Sequence, residues 1–367
     1  MPNARVTPGF IIAVTGSAGK TTTKEMIASI LQKRWNTYKT MGNRNLPSSI
    51  AKQRKQILPS HRAAVLEYGM AQAGHIAKSC QTIQPDLGVI TSIGTAHIGN
   101  VGGTVQGVAQ AKSELIRGMH PNGALFINAD NPNMKLLDTK NFKGRIYRVG
   151  TKANPNYKAF EISERPDGVV FHVNLWGKKQ RFFIPVPGRH NVNNALLAVA
   201  VADRLGFTAE EIAAGLRTYY RPKSRLNVLS LKKKGAIVLD DSFSANPDAV
   251  KAAIDVLMGL GKGRKIAVLG SMLEMGVYSK KAHQDVGKYL AGKPVKFLYT
   301  FGDEAKEYGK GAIAAGFPAA RVFHFKTRNR LHAVLKSRIV PGTSVLVKGS
   351  HKMKMRDTVK FLVSKLK

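Results

Sequence analysis

The segment from Gly9 to Leu31 constrains the fold of this chain more than any other. An apolar run, Phe10 to Val14, leads into a loop with two glycines, and apolar residues then recur at helical spacing up to Leu31. This pattern predicts a buried strand, a tight loop and an amphipathic helix. Glycines in such a loop let backbone N–H groups close around a phosphate, and the helix N-terminus adds a favourable dipole. We therefore expect a nucleotide-binding loop.

The side chains of this loop have distinct expected roles. Lys20 is expected to reach the β- and γ-phosphates, and the Thr21 hydroxyl to ligate Mg²⁺. The general phosphate-loop pattern has a glycine where this chain has Val14, so the chain carries a shorter T-G-S-x-G-K-T form. The alternative is a structural turn in which Gly-Lys-Thr begins a helix by chance. The candidate nucleotide-binding residues here are Thr15, Gly16, Ser17, Ala18, Gly19, Lys20, Thr21 and Thr22.

Strand and helix patterns alternate beyond the loop. The runs 63–67 and 87–91 are typical of buried strands, and they lead to Glu67 and His97. Ligands of open parallel sheets bind at the carboxyl ends of the strands, so we expect both residues in the crevice that contains Lys20. The alternation predicts a doubly wound, mostly parallel α/β sheet.

The pattern changes twice further along the chain. Short alternating runs between residues 154 and 187 predict a small antiparallel β insertion. After a boundary at residues 221 to 225, strands and helices alternate again, which predicts a second, Rossmann-like α/β domain. This part has no G-x-G-x-x-G fingerprint, so we expect no bound dinucleotide there. The predicted fold class is α/β, with a phosphate-loop domain over residues 1–222 and a Rossmann-like domain over residues 223–367.

Length and composition exclude several classes of protein. The 367 residues, of which 43% are hydrophobic, are enough for two packed domains. No apolar run is long enough to span a bilayer and the chain start has no signal-peptide core, so we expect a cytoplasmic protein. The single cysteine, Cys80, excludes an internal disulfide framework and a cysteine-based zinc cluster. Its neighbours Ile76 and Ala77 predict a small core residue.

The charge of the chain is strongly positive. It has 58 Lys and Arg residues against 22 Asp and Glu residues, a formal net charge of +36. Such a surface attracts polyanions, whether nucleic acid, anionic lipid or an acidic polymer. The alternative is a general basic bias of the host's proteins. The basic residues are spread along the chain, so the charge does not decide between these explanations.

A series of motifs, taken in order, resembles one enzyme family. The motifs after the phosphate loop are Gly42-Asn43, Glu67-Tyr68-Gly69, Gly94-Thr95-Ala96-His97, Ala111-Lys112-Ser113-Glu114, Gly188-Arg189-His190-Asn191, Asp240-Asp241-Ser242, Asn246-Pro247 and Val347-Lys348-Gly349-Ser350. Together they resemble the Mur ligases, the ATP-dependent amide ligases of peptidoglycan precursor synthesis, and in particular the branch that adds D-alanyl-D-alanine. The resemblance covers nearly the whole chain.

The resemblance implies both an architecture and a reaction. It implies a central ATPase domain and a C-terminal domain that closes over it. ATP phosphorylates a substrate carboxylate to an acyl phosphate, which an amine attacks to give an amide, ADP and phosphate. Because this chemistry brings anions together, it needs cations between them, and the resemblance implies two Mg²⁺ ions.

The resemblance also implies roles for individual residues. Thr21 and Glu67 match ligands of the Mg²⁺ on the β- and γ-phosphates, and His97 matches a ligand of the second Mg²⁺. Lys112 matches a lysine that relatives carry as a carbamate. The other matches are Asn191 and Asn194 on the adenine side, Arg225 and Asp241 toward the γ-phosphate and ribose, and Asn43, Asn246, Lys348 and Ser350 toward the substrates. The catalytic candidates are Lys20, His97, Lys112 and Arg225.

Each of these residues also has an ordinary structural alternative. Glu67 could cap a strand end, His97 could be a satisfied loop histidine, and Lys112 a solvated helix residue. Asp241 could be a helix N-cap. The order of the motifs behind a phosphate loop favours the functional interpretation.

The chain also departs from the family pattern at three points. Ser271 stands where the family often has an aspartate, and His351 where it has an arginine, so contacts to the amine substrate are expected to differ. The phosphate-loop strand starts at about the tenth residue. We therefore expect the family's N-terminal UDP-sugar domain to be missing, or its pocket to come from a separate chain.

Three functional hypotheses follow. The first is an ATP-dependent amide ligase that joins a peptide or amino-acid carboxylate, with a cell-wall precursor as the leading acceptor, to an amine. The second is the same chemistry on another carboxylate, such as an acidic polymer or a specialised peptide. The third is a nucleotide-gated nucleic-acid-binding protein on a Mur scaffold. Nothing in the sequence resembles a helix-turn-helix or an aromatic RNA platform, so we do not expect a nucleic-acid partner.

Overall fold

The computed structural model describes residues 9–152, 154–165 and 167–366, with the backbone alone at Lys233 and Leu366. The chain divides into two compact units, one ending at Pro222 and the other beginning at Lys223. Both units are α/β, which confirms the predicted class. Across the described ranges, no helix has both the length and the apolar character that crossing a bilayer requires. The chain start, for which the sequence predicts no signal-peptide core, lies outside these ranges.

The first unit is built on a nine-stranded sheet. Its strands are β1 (Phe10–Thr15), β2 (Thr37–Lys39), β3 (Ala63–Glu67), β4 (Leu87–Ile90), β5 (Ala124–Asn128), β6 (Arg145–Gly150), β7 (Tyr157–Arg165), β8 (Gly168–Leu175) and β9 (Lys178–Ile184). Its α-helices are α1 (Lys20–Leu31), α2 (Pro47–Arg54), α3 (His75–Thr82), α4 (Val105–Gly118), α5 (His190–Arg204) and α6 (Ala209–Arg217).

Strand β1 lies at the topological switch of this sheet. The strand order is β2-β3-β1-β4-β5-β6-β7-β8-β9, and β1 pairs in parallel with both β3 and β4. The segment 11–14 is buried, as expected for a parallel strand that is covered on both faces. Because the chain leaves toward opposite sides of β1, a crevice opens at the carboxyl ends of these strands.

The predicted β insertion continues the same sheet. Strand β7 pairs in parallel with β6, through Val149 opposite Tyr157. Strand β8 then pairs antiparallel with β7 on one side and with β9 on the other. The core prediction for Cys80 is confirmed, since this thiol is buried and burial raises its pKa to about 12.

The second unit has a six-stranded sheet in the order β10-β11-β15-β12-β13-β14. Its strands are β10 (Asn227–Leu231), β11 (Ala236–Asp241), β12 (Lys265–Gly270), β13 (Phe297–Phe301), β14 (Val322–Phe325) and β15 (Ser344–Lys348). Its α-helices are α7 (Pro247–Gly259), α8 (Ser279–Ala291), α9 (Lys306–Ala314), α10 (Arg328–Arg338) and α11 (Arg356–Leu366). The sheet is parallel except for β10, which pairs antiparallel with β11. This is the open, Rossmann-like arrangement that the alternating pattern predicts.

Candidate active site

The phosphate loop requires glycine at two positions. Gly16 and Gly19 both have positive φ angles, 148° and 83°, and Gly19 is the N-cap of α1. A Cβ on Gly16 would lie 2.0 Å from Oγ1 of Thr91, and one on Gly19 would lie 2.3 Å from Oδ1 of Asn194. Any side chain at either position would therefore displace the loop from its neighbours.

Hydrogen bonds fix the phosphate loop against the loop that follows β4. The Ser17 amide donates to the Ser92 carbonyl at 2.8 Å, and the Ala18 amide donates to the Ser92 hydroxyl at 2.9 Å. The Gly94 amide in turn donates to the Ser17 hydroxyl at 2.9 Å. This second loop carries the half-buried His97, whose φ angle is 62°. These hydrogen bonds hold the loop that carries His97 against the phosphate loop.

The first turn of α1 offers positive charge and N–H donors to an anion. The Lys20 ammonium donates to the Gly16 carbonyl at 2.7 Å, so this side chain folds over the loop. The first N–H groups of any helix have no carbonyl partner within it, and they carry the positive end of its dipole. Thr21, in the same turn, is buried. The turn that contains Lys20, Thr21 and Thr22 therefore has the charge and the N–H donors that an anion needs.

Glu67 ends β3 and lies opposite Val14, in register with the end of β1. Its side chain is 1% exposed, and its Oε1 accepts a hydrogen bond from Nδ2 of Asn45 at 2.8 Å. Its other oxygen, Oε2, is buried and has no hydrogen-bond partner among the described residues. A buried carboxylate oxygen without a donor is costly unless a cation or another group satisfies it. Glu67 therefore fits the role of a metal ligand better than that of a strand-end cap.

The donor set suits Mg²⁺ bound together with a nucleotide. Over the described part of the chain, no three His, Cys, Asp or Glu side chains converge into a metal cage. Mg²⁺ in phosphoryl-transfer sites uses only one or two carboxylates and completes its shell with phosphates and water. The oxygens of Thr21 and Glu67 fit this pattern. Imidazole is a more typical ligand of other metals, so the assignment of His97 to a second Mg²⁺ depends on the family resemblance.

Lys112 is buried on α4, which makes the alternative of a solvated helix residue wrong. Its side chain is 1% exposed, and its Nζ lies 4.0 Å from Sδ of Met70. Burial and repulsion from Lys20 hold the pKa of this amine well below its usual value, and the attraction of Glu114 opposes them less strongly. The Glu114 carboxylate accepts the amide hydrogens of Gly74 and Ala77 at the start of α3. Burial and the nearby Lys20 thus disfavour the charged form of Lys112.

The two asparagines predicted on the adenine side form a chain of amides from α5 to α1. Asn191 donates to the Pro187 carbonyl at 2.8 Å and accepts a hydrogen bond from Nδ2 of Asn194 at 3.0 Å. Asn194 accepts in turn from the Thr23 hydroxyl at 3.3 Å. Together with the contact to Gly19, these bonds hold the phosphate loop against α5.

In the second unit, three predicted residues lie close together. Asp241 and Lys348 are opposite each other on the parallel strands β11 and β15, and the Lys348 ammonium forms an ion pair with Oδ2 of Asp241. The same ammonium donates to the Ser244 carbonyl at 2.9 Å. Oδ1 of Asp241 accepts from the Leu226 amide, next to Arg225. The Arg225 guanidinium lies 4.4 Å from the centre of the Phe243 ring.

Other predicted substrate residues also have structural partners. Asn246 is the N-cap of α7, since its Oδ1 accepts from the Ala249 amide at 3.0 Å, so the cap is Asn246 and not Asp241. The Ser350 hydroxyl accepts from the Leu273 amide at 2.9 Å, and its own amide donates to the carbonyl of Ser271. Asn43, in the first unit, is exposed. Roles of these residues toward substrates remain predictions.

Sequence reasoning missed the residues that hold the site in place. Ser92 supports the phosphate loop, Asn45 holds Glu67, and the fully buried Lys24 donates to the Thr40 and Gly42 carbonyls. Lys24 and Asn45 act on partners that are distant in sequence, and only the position of Asn45, two residues after Asn43, could have drawn attention to it.

Comparison with known proteins places this geometry in a family. The family model described as "Mur ligase middle domain" matches residues 14–202, and "Mur ligase, glutamate ligase domain" matches residues 224–351. The chain is 32% identical over 354 residues to the UDP-N-acetylmuramoyl-tripeptide–D-alanyl-D-alanine ligase of Bacillus subtilis, an alignment that covers 96% of this chain and 76% of the relative.

Solved structures agree with this comparison. The chain superposes on a crystal structure of MurF from Acinetobacter baumannii with a TM-score of 0.89 at 32% identity, which covers 97% of this chain and 77% of that one. The fold also matches MurF ligase from Thermotoga maritima in complex with ADP, with a TM-score of 0.82 at 23% identity over 98% of this chain and 80% of that one. The chain therefore belongs to the Mur ligase family.

Proposed function

We propose that this chain is an ATP-dependent ligase that joins the carboxylate of a cell-wall peptide precursor to an amine, as its D-alanyl-D-alanine-adding relatives are named for doing. The observation that carries the proposal is the phosphate loop together with two residues: Glu67 lies in register with the end of β1, and Lys112 is buried near Lys20. The chain that contains them matches such a ligase over most of its length. The product bond is an amide, and ATP is the energy source.

The reaction has two steps. A carboxylate oxygen of the acceptor attacks the γ-phosphorus of ATP, the bond to the β-phosphate oxygen breaks, and ADP leaves. The amine nitrogen then attacks the carbonyl carbon of the acyl phosphate, phosphate departs with the attacking oxygen, and the nitrogen loses a proton. Because the first step brings two anions together, the protein contributes mainly positioning and positive charge. Lys20 and the first turn of α1 supply both.

The metal site proposed for this reaction involves three residues. Mg²⁺, when bound, supplies further positive charge at the phosphates. Thr21 and Glu67 would hold one ion through oxygen atoms, and the resemblance assigns His97 to a second ion. The buried Glu67 Oε2, which lacks a hydrogen-bond partner among the described residues, supports the first assignment.

Lys112 is proposed to act as a carbamate. A neutral amine adds to the carbon of CO₂ and loses a proton, which converts a group repelled by cations into an anion attracted to them. The burial that lowers the pKa of Lys112 favours the neutral amine that this addition needs.

The remaining roles follow the family resemblance. Residues 1–222 would form the ATPase domain and residues 223–367 the C-terminal domain. Asn191 and Asn194 would contact the adenine side of the nucleotide. The groups assigned to the γ-phosphate and ribose are Arg225 and Asp241, and those assigned to the substrates are Asn43, Asn246, Lys348 and Ser350.

The identity of the acceptor has one alternative with a specific observation behind it. The net charge of +36 favours anionic acceptors in general, so an acidic polymer or specialised peptide could replace the UDP-linked precursor. A separate chain that supplies the acceptor pocket is a further arrangement to test. Calorimetry with UDP and the precursor, at two salt concentrations, separates these cases. Weak UDP binding and an acceptor affinity that falls steeply with salt would favour the polymer.

A phosphate-release screen of carboxylates against amines tests the proposed function. We expect ADP and phosphate to form only when both an acceptor and an amine are present, with the precursor and D-alanyl-D-alanine as the leading pair. Lys20→Ala is the inactive control. ATP hydrolysis that proceeds equally without either substrate would contradict the proposal.

A further inference from the structure

We propose that Asn45 is a positioning residue for the metal site, because its side-chain amide fixes the Glu67 carboxylate so that one oxygen remains available for Mg²⁺. The inference rests on the proposed function, since it takes Glu67 as a metal ligand. Asn45 itself would touch neither the metal nor the nucleotide. It would act through the orientation of Glu67.

In the hydrogen bond between these side chains, Asn45 is the donor and Glu67 is the acceptor. An ionised carboxylate has no hydrogen to donate, so the atom of Asn45 that faces Oε1 of Glu67 at 2.8 Å must be the amide nitrogen. This bond occupies one carboxylate oxygen. The other oxygen, Oε2, is buried and has no hydrogen-bond partner among the residues that the structure describes. The amide of Asn45 thereby fixes Oε1 and leaves Oε2 available to a metal ion.

Asn45 is itself held close to the chain that follows Glu67. Its carbonyl accepts from the Gly69 amide at 2.9 Å, and its own amide donates to the Asn43 carbonyl at 2.8 Å. A Cβ on Gly69 would lie 2.5 Å from Cγ of Asn45. The side chain of Asn45 therefore packs against backbone that only glycine permits, two residues beyond the carboxylate that it orients.

The segment 40–45 is also anchored to the phosphate-loop helix. The Lys24 ammonium on α1 is fully buried and donates to the Thr40 carbonyl at 2.6 Å and to the Gly42 carbonyl at 3.1 Å. The Thr40 hydroxyl accepts from the Glu67 amide at 3.0 Å and donates to Oε1 of Gln53 at 2.7 Å. The same segment thus ties Glu67 to the helix that carries Thr21.

This arrangement has a direct energetic consequence. A carboxylate that rotates freely loses side-chain entropy when it binds a metal, and one that is already fixed loses less. Loss of a residue that orients a metal ligand typically lowers metal affinity by about 10- to 100-fold. The same loss has no direct effect on a nucleotide bound without metal.

Mn²⁺ is a suitable probe, because free Mn²⁺ can be counted by electron paramagnetic resonance in the presence of the full chain and ADP. The variants are Asn45→Ala, Asn45→Ser and Glu67→Gln, with Asn36→Ala as a matched control. Asn36 is a different asparagine, whose amide donates to the Ser60 carbonyl at an exposed position. The Ser variant serves if the Ala variant does not fold, since its shorter side chain cannot reach the carboxylate from the same backbone.

We expect Asn45→Ala to weaken Mn²⁺ binding to the ADP complex by about 10- to 100-fold. The apparent Tm and the affinity for ADP in EDTA should stay close to those of the wild type, as they should in Asn36→Ala. In the Glu67→Gln background, Asn45→Ala should cause no further loss, because the group that it orients is gone.

Each contrary result has a separate meaning. If Glu67→Gln weakens Mn²⁺ binding and neither Asn45 variant does, the positioning role is wrong while the proposed function stands. Additive losses in the double variant, or an equal fall of ADP affinity in EDTA, would show that Asn45 shapes the pocket in some other way. Unchanged Mn²⁺ affinity in Glu67→Gln would show that Glu67 is not a metal ligand, and the proposed metal site would then be wrong.

Discussion

Replacement of Lys112 by methionine tests the energetic cost of its burial together with its role. Lys112→Met keeps the length and apolar stem of the side chain and removes the amine. Among the described residues the Nζ of Lys112 has the Met70 sulfur, at 4.0 Å, as its only hydrogen-bonding neighbour, and sulfur is a weak acceptor. The variant should therefore be inactive but more stable than the wild type when metal, nucleotide and CO₂ are absent.

The size of this stabilisation follows from the burial of the Lys112 amine without a good hydrogen-bond partner. A buried polar group without a good partner costs about 1–3 kcal/mol, so Lys112→Met should raise the free energy of unfolding of the first unit by about that amount. For a domain of 150–250 residues, each kcal/mol corresponds to about 2–4 °C in apparent Tm.

The stabilisation should also depend on pH. Burial and the Lys20 ammonium lower the pKa of Lys112 in the folded chain, whereas an unfolded lysine titrates near 10.4. Between these two pKa values the unfolded chain binds more protons, so wild-type stability rises with pH and falls as the pH is lowered toward the folded pKa. The methionine variant lacks this contribution. Its advantage over the wild type should therefore shrink as the pH approaches 10.

Thermal unfolding followed from pH 7 to pH 10 measures both effects. Lys78→Met, at an exposed lysine on α3, is the control and should change stability by no more than about 0.5 kcal/mol. In the activity assay, Lys112→Ala should regain part of its activity with short carboxylic acids, which can occupy the place of the carbamate. A destabilised Lys112→Met variant, or one with full activity, would refute this reasoning.

Three further predictions concern single residues. Lys20→Ala should lower the rate of ligation by about 100- to 1000-fold with little change in apparent Tm, and more than a tenth of wild-type activity would mean that the loop has been misinterpreted. Gly19→Ala should weaken ADP binding in calorimetry by about tenfold or more, because its Cβ would lie 2.3 Å from Asn194 at a φ angle of 83°; an unchanged affinity would place the nucleotide elsewhere. Lys348→Met should destabilise the second unit by about 3–5 kcal/mol in denaturant unfolding, since it leaves the Asp241 carboxylate without its ion-pair partner. Lys326→Met, at an exposed lysine, is its control, and an equal effect of both variants would contradict the argument.

The parts of the fold that the sequence predicted well are those with strong local signals. The apolar run of β1, the glycines behind it and the apolar period of α1 are all contiguous, so strand, loop and helix could be located in advance. By contrast, β2 has only the three residues 37–39, which is too short to show a period. Strand β10 is partly exposed and pairs antiparallel at the edge of its sheet, so its pattern resembles that of a loop.

The contacts of the site were less predictable than its residues. The resemblance indicated Asp241 and Lys348 separately, but their ion pair arises from the parallel register of β11 and β15, which joins residues far apart in sequence. The burial of Lys112 was equally hidden, because a lysine on an amphipathic helix is usually exposed. The hydrogen bond from Asn45 to Glu67 depends on the close approach of the Asn45 side chain to Gly69. This contact is a tertiary feature that local sequence does not show.

The central claim is that an acceptor carboxylate is activated as an acyl phosphate before the amide forms. Oxygen-18 in the acceptor carboxylate tests it directly, because the attacking oxygen leaves with the phosphate when the amine displaces it. Mass spectrometry of the phosphate released during ligation should find one acceptor oxygen in each phosphate. Phosphate that contains none, alongside amide product, would contradict the claim.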